Sequence, residues 1–245
     1  MAINTQGLTY TPPNLPIGKI TKQFYPPSAN CKLYLPMYPP GSTTVVYDQS
    51  FSVSGTTNNG TLTGGVWSRL ASGQNILTFD GDDKVNFGNV NNVTTEDFYL
   101  EMWCAMAALT ANGDMFIKRT GNVGYGMQIK GDGSFAPFIG DADSFTATAK
   151  GSGYDDGVWR HYALSFDRDA TVNYLVNGAS IGTTSITGEQ GSISCAGSLY
   201  IGVYSDGAQE WLLGKWALAR IGIGVAPATS FFLNHYQRER HLFGV

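Results

Sequence analysis

Cleaving a glycosidic bond by the retaining route takes two carboxyl groups about 5 Å apart, one as nucleophile and one as acid. In this sequence Glu101 stands alone inside the run Phe98-Tyr99-Leu100-Glu101-Met102-Trp103, and no Glu-x-Asp-x-x-Glu pattern sets a pair along one strand. Glu96, Glu189, Glu210 and Glu239 are scattered, so no catalytic residue is assigned. His161 lies in a strand pattern, and His235 and His241 are six apart, which misses the i, i+4 spacing of helical zinc ligands. These histidines read as packing or surface residues. A hard cation such as calcium needs several convergent oxygens, and Asp80, Asp82 and Asp83 around Gly81 are the one cluster that could supply them. Aspartate is equally an ordinary turn residue, as in the acidic turns Asp141 with Asp143 and Asp155 with Asp156. Beyond calcium no cofactor is implied. Four aromatic residues, Tyr125, Tyr154, Tyr204 and Trp211, lie near Gly- or Asp-rich segments, where an aromatic face can stack on a ligand ring or simply pack at the rim. Trp67, Trp103, Trp159 and Trp216 have strand contexts and are expected in the core.

The elements that would position these residues are short strands. Thirty-one glycines, 13% aromatic and only 14% charged residues suit tight turns and β-strands rather than charged helices. Apolar and polar residues alternate in Ile76–Phe79, Phe98–Trp103, Trp159–Phe166 and Val172–Val176. In the last, Val172, Tyr174 and Val176 share a face, and Asn177-Gly178 supplies the positive-φ turn of a hairpin whose partner is Ala179–Thr184. The Trp159–Phe166 strand is expected in the interior of a sheet. Only the end reads as helix: Thr229 or Ser230 as cap, Phe231, Phe232, His235, Tyr236, Glu239 and Leu242 at helical spacing, Gly244 as stop. Gly222-x-Gly224 lacks the third glycine of a nucleotide loop and reads as a late strand. Eight of the ten prolines fall in the first 40 residues, where fixed φ and missing donors exclude regular structure. This predicts an extended, apolar, proline-rich arm over residues 1–30 and one domain over 31–245. A net charge of -4 without a Lys/Arg run disfavours nucleic acid. Cys31, Cys104 and Cys195 form no disulfide or zinc pattern. The start lacks the basic and apolar regions of a signal peptide and no stretch reaches membrane-span length, so synthesis in a host cytoplasm without membrane insertion is expected.

From residue 32 onward the chain resembles the laminin-G-like jelly-roll family of the concanavalin A-like lectin/glucanase superfamily. The resemblance rests on Leu33-Tyr34-Leu35-Pro36, Val46–Ser50, Asn58–Trp67, Leu77–Val85, Leu100–Trp103, Asp156–Ala163, Tyr174–Gly178 and Leu199–Gly202 in that order. It implies an all-β, two-sheet antiparallel jelly-roll sandwich, with the arm in front and a short C-terminal helix behind. The segment Phe232–Gly244 is similar to the terminal helix of phage-encoded members. The leading expectation is a non-enzymatic virion-surface protein, a capsid decoration or tail-associated subunit. Its arm would join other virion subunits, as part of a homo-oligomer or larger assembly, and its jelly roll would face outward, where cell-surface glycans are a further partner. The alternatives are a soluble lectin-type carbohydrate-binding module, with or without calcium, and, third, a glucanase-type hydrolase.

Overall fold

The computed structural model describes residues 29–37, 44–50 and 58–245; the arm, apart from Ala29 and Asn30, lies outside the described residues. The chain forms β1 (Cys31–Leu35), β2 (Val45–Val46), β3 (Gly60–Thr63), β4 (Val66–Arg69), β5 (Asn75–Asp80), β6 (Lys84–Asn86), β7 (Phe98–Met106) and β8 (Gly113–Thr120). It continues with β9 (Val123–Ile129), β10 (Phe135–Gly140), β11 (Phe145–Thr146), β12 (Arg160–Phe166), β13 (Thr171–Val176), β14 (Ala179–Ser185), β15 (Leu199–Ile201) and β16 (Leu213–Ile223). Helix α1 (Thr229–Glu239) and a 3-10 turn at Arg240–Leu242 close the chain. Two antiparallel sheets face each other as the expected jelly-roll sandwich. The first runs β14-β13-β12-β7-β16-β5-β4, with β1 also on β16; the second runs β11-β10-β9-β8-β15-β6-β3-β2.

Strand alternation fills the space between them. Phe98, Leu100 and Met102 of β7, Tyr162, Leu164 and Phe166 of β12, and Val172, Tyr174 and Val176 of β13 meet Tyr125, Met127 and Phe135 of the second sheet in one core. Phe98 stacks on Phe166 with ring centroids 4.1 Å apart. As expected, β12 is interior, between β7 and β13. The β13–β14 hairpin also forms as expected, with Asn177 at φ 52° and Gly178 at φ 75°.

The outer face of the first sheet carries a second, smaller core. β7 is buried along its whole length, and its odd residues Tyr99, Glu101 and Trp103 lie under α1. Tyr99, Ala163 and Leu175 pack with Phe232 of the helix, and Trp103 stacks on Phe243 at 4.2 Å. Trp103 therefore serves this second core, and Trp216, against Phe79, serves the first. The helix starts differently from the expectation: Ala228 is the N-cap and no side chain caps it. Thr229 already lies inside the helix, and its hydroxyl accepts a hydrogen bond from Asn173 Nδ2 at 3.3 Å. Gly244, at φ 74°, comes after the 3-10 turn rather than at the helix end.

Long strand β16 organises the first sheet. One edge pairs with β7; the other is shared, Leu213–Trp216 with β5 and Ala219–Gly222 with β1. Between Ala217, opposite Trp103, and Arg220, opposite Glu101, β16 holds one residue more than β7, and Leu218 there has φ 45°. Side chains alternate faces with period two, so this bulge turns Arg220 from the apolar core to the helix side.

Candidate functional site

The densest chemistry lies beneath α1. Glu101 is directly opposite Arg220 on β16 and Ala163 on β12. Its carboxylate accepts N–H groups from His161 Nε2 at 2.7 Å, from His235 Nδ1 at 2.7 and 2.9 Å, and from Arg220 Nη1 at 3.1 Å. Glu239, from the last turn of α1, accepts from Trp103 Nε1 at 2.9 Å and from both terminal nitrogens of Arg220. Tyr34 of β1 lies under the Arg220 guanidinium, with 5.0 Å from Cζ to ring centroid. Burial alone would raise the Glu101 carboxyl, but His235, Arg220 and the hydrogen bonds from both histidines outweigh it and hold the group well below its usual range. Burial likewise opposes the Arg220 charge, and Glu239 and Glu101 more than offset it.

This corrects the reading of Glu101 as a solitary glutamate. Glu101, Glu239 and His161 bring ligand atoms within 4.8 Å of one another. Proximity does not make them a catalytic pair or a metal centre. All three residues are sealed from solvent, and a guanidinium already occupies both carboxylates. A cation added beside Arg220 would meet its charge. The cluster is a clamp between helix and sheet.

The aspartate cluster does converge, with carboxylate oxygens of Asp80, Asp82 and Asp83 inside 4.8 Å of each other. Asp83 is buried, and its oxygens accept the backbone N–H groups of Gly65 and Asp80, which is a turn-holding role. Asp80 and Asp82 are exposed; hydrogen bonding with Asp80 and its charge raise the Asp82 carboxyl. The four candidate aromatics separate. Tyr125 is fully buried in the main core, its ring 5.2 Å from Phe98 and its hydroxyl donating to Asn91 O. It faces inward on β9 and cannot meet a ligand, which corrects that expectation. Tyr154 packs edge-on to Tyr162 beside Arg160. Tyr204 and Trp211 lie on one loop, half-buried, next to the outer face of the second sheet.

That outer face is legible from strand register. One row runs Thr61, Asn86, Tyr200, Ile117, Gly126, Phe138 across six strands, and the next runs Arg119, Gly124, Gly140, Phe145. Arg119 lies over Phe138, its Cζ 3.9 Å from the ring centroid, with Tyr204 on it at 5.0 Å. Phe145, 53% exposed, stacks beside Phe138 at 5.8 Å. Lys84 places its ammonium 5.7 Å from the Trp211 ring and donates to Gly207 O at 2.8 Å. A Cβ on Gly207 would stand 3.2 Å from that ammonium and 3.7 Å from the Tyr200 hydroxyl, so the 204–211 loop folds against the sheet there. Deeper on the same face, Asp114 and Gln128 are directly paired, and Asp114 Oδ2 and Gln128 Oε1 have no partner among the described residues. Burial, with Glu210 nearby, holds the Asp114 carboxyl well above its usual range. Sequence reasoning picked Tyr204 and Trp211 but missed Arg119, Phe138 and Tyr200. Alternation within β8, β10 and β15 marks these three as sharing the face opposite the core, but only register brings them together.

Two antiparallel sheets, a jelly-roll order and an aromatic outer face define a lectin-type β-sandwich. The chain belongs to the Laminin_G_3 family, of the concanavalin A-like lectin/glucanases superfamily, whose profile matches residues 79–221, from β5 to β16 and more than half of the sequence. No curated protein matches it. Among solved structures it is similar to the binding domain of Paraclostridial Mosquitocidal Protein 1, at TM-score 0.65 and 16% identity over 84% of this chain and 52% of that one. It is also similar to the receptor binding domain of botulinum neurotoxin C/D mosaic serotype, at TM-score 0.64 and 12% identity over 85% and 51%. A third is the botulinum neurotoxin serotype D ligand binding domain in complex with N-acetylneuraminic acid, at TM-score 0.62 and 12% identity over 85% and 50%. The chain thus spans about half the length of these structures, and at such identities the likeness is one of fold.

Proposed function

We propose that this protein is a non-catalytic, glycan-binding module whose site is the outer face of the second sheet. The observation that carries the reading is the platform on which Tyr204, Arg119 and Phe138 stack, with Tyr200 and Trp211 beside it. Phe138 is buried beneath Arg119; the half-exposed faces of Tyr200, Tyr204 and Trp211 can accept the C–H faces of sugar rings, and polar groups at their edges fix the hydroxyls. The structural neighbours named as receptor- or ligand-binding domains support a binding role. Among the described residues, the carboxylates drawn together under α1, Glu101 and Glu239, are held by Arg220, which argues against their use in hydrolysis. Binding is checked by a glycan array followed by calorimetry on the best hit. Tyr204→Ala and Trp211→Ala are each expected to weaken it about tenfold with the melting temperature unchanged; undiminished binding in both variants would remove the site from this face.

The place of action we assign is a virion surface, with residues 1–30 joining the module to other virion subunits. Two sequence features support this: the apolar, proline-rich composition of that segment and the similarity of Phe232–Gly244 to phage-encoded members.

A further inference from the structure

Resting on that binding face, we infer that its ligand is an acidic saccharide, a sugar whose carboxylate docks on the free edge of the Arg119 guanidinium. Arg119 is held from three directions. Its Nε donates to Gly121 O at 2.8 Å, Phe138 lies under the guanidinium plane and Tyr204 lies against it. Among the described residues, neither terminal NH2 group has a hydrogen bond and the residue has no ion pair. Of the other well-packed arginines, Arg160 is paired with Asp156 and Arg220 with Glu101 and Glu239, and the terminal nitrogens of Arg168 donate to the carbonyls of Thr94, Glu189 and Gly191, although its buried Nε has no partner among the described residues. A cation stacked between rings, fixed in orientation and left with an unspent pair of parallel donors is an arrangement that a planar carboxylate completes bidentately.

The surroundings favour an anion over a neutral ring. Lys84 adds a second positive charge on the same face, near Trp211. Three acidic groups of that region accept hydrogen bonds elsewhere and Asp114 is buried, while Asp143, two residues before Phe145, is exposed. Asp206 accepts from Ala208 N and Gln209 Nε2, Glu210 from Asn112 Nδ2, and Asp141 from Gly191 N. Asp114 is buried, and burial raises its carboxyl against the opposing charges of Arg119 and Lys130. The rings of Tyr204 and Phe145 at the edges then receive the sugar body while Arg119 takes its acid group.

The test compares matched probes on the full chain by calorimetry: sialyllactose against lactose, and oligogalacturonate against its methyl ester. Wild type is expected to bind at least one acidic member at least about tenfold more tightly than its neutral partner, with a preference that shrinks as salt rises. Arg119→Gln should erase that preference, lowering affinity for the acidic probe about tenfold more than for its neutral partner. Arg119→Lys, which keeps charge but not the fork, should lose most of it, and this variant carries the test if the Gln protein is poorly folded. Equal affinity within both wild-type pairs, or a preference that survives Arg119→Gln and Arg119→Lys, overturns the inference while neutral-sugar binding sensitive to Tyr204→Ala keeps the glycan-binding reading standing. Failure of wild type to bind any probe or array glycan overturns both.

Discussion

Asp114 and Glu101 are both buried carboxyls, and their surroundings push them in opposite directions. Asp114 has its charge opposed by burial and by Glu210, and faces another unpartnered oxygen on Gln128. With a raised folded value, the unfolded chain gives up this proton first, so stability falls as pH rises above about 4, the unfolded carboxyl value, and levels once the folded group ionises. Asp114→Asn supplies an N–H that Gln128 can accept. It is expected to stabilise the protein by about 1–3 kcal/mol at neutral pH and to flatten that decline, read from melts across pH. A lower melting temperature for the variant would refute this account of the pair. Glu101 shows the reverse sign. Its depressed carboxyl contributes stability that is present above the unfolded value and lost as pH falls through the lower folded one. Glu101→Gln, which removes one of the two carboxylates on Arg220 and an acceptor of the His161 and His235 N–H groups, is expected to cost about 3–5 kcal/mol in denaturant melts. Glycan binding by the folded fraction should not change, since the cluster lies under α1 and the platform on the other sheet.

At the scale of elements, the hairpin tip does more than reverse the chain. A Cβ on Gly178 would stand 2.7 Å from Leu233 Cα and 3.1 Å from Tyr236 Cβ, so the β13–β14 turn is the seat of α1. Gly178→Ala adds a side chain at φ 75° and presses on the helix. It is expected to cost roughly 1–3 kcal/mol and to alter the near-ultraviolet signal of Trp103, which stacks on Tyr236; a melt equal to wild type would refute it. This turn shows what sequence could and could not disclose. Asn177-Gly178 announces a hairpin because positive φ is a local demand, and the faces of β12 and β13 follow from period-two alternation. The clamp was hidden for the opposite reason. Arg220 faces Glu101 through a bulge at Leu218, a residue with no intrinsic preference for positive φ, and Glu239 arrives from 138 residues further along the chain. Likewise Tyr204 and Trp211 were visible as loop aromatics, whereas Arg119 gains its meaning only when Gly124 and Gly126 of β9 carry no side chains between β8 and Phe138 on β10.

For the whole molecule, the proposed virion role turns on residues 1–30. Prolines restrict the free chain and so lower the entropy lost on docking, and Ile3, Leu8, Leu15, Ile17, Ile20 and Phe24 offer apolar area at roughly 25 cal/mol per Å² buried. A protein lacking residues 1–30 is expected to keep its cooperative melt and its glycan binding but to fail in assembly, followed by sedimentation and by incorporation into particles. Unfolding of the truncated protein would make the segment part of the domain; normal assembly would refute the joining role. The same scale brings out a mechanical side to the β1–β16 pairing. If the arm is a tether, any load it transmits enters the sandwich at Cys31, beside the Asn30 carbonyl that accepts Ile223 N–H. From there it runs along β1 to Tyr34, paired with Arg220 and lying under its guanidinium. Pull on the N-terminus would thereby be handed to the Glu101–Arg220–Glu239 clamp, which shares it between the central strand and the closing helix, while the proposed glycan face on the opposite sheet lies off the line of force.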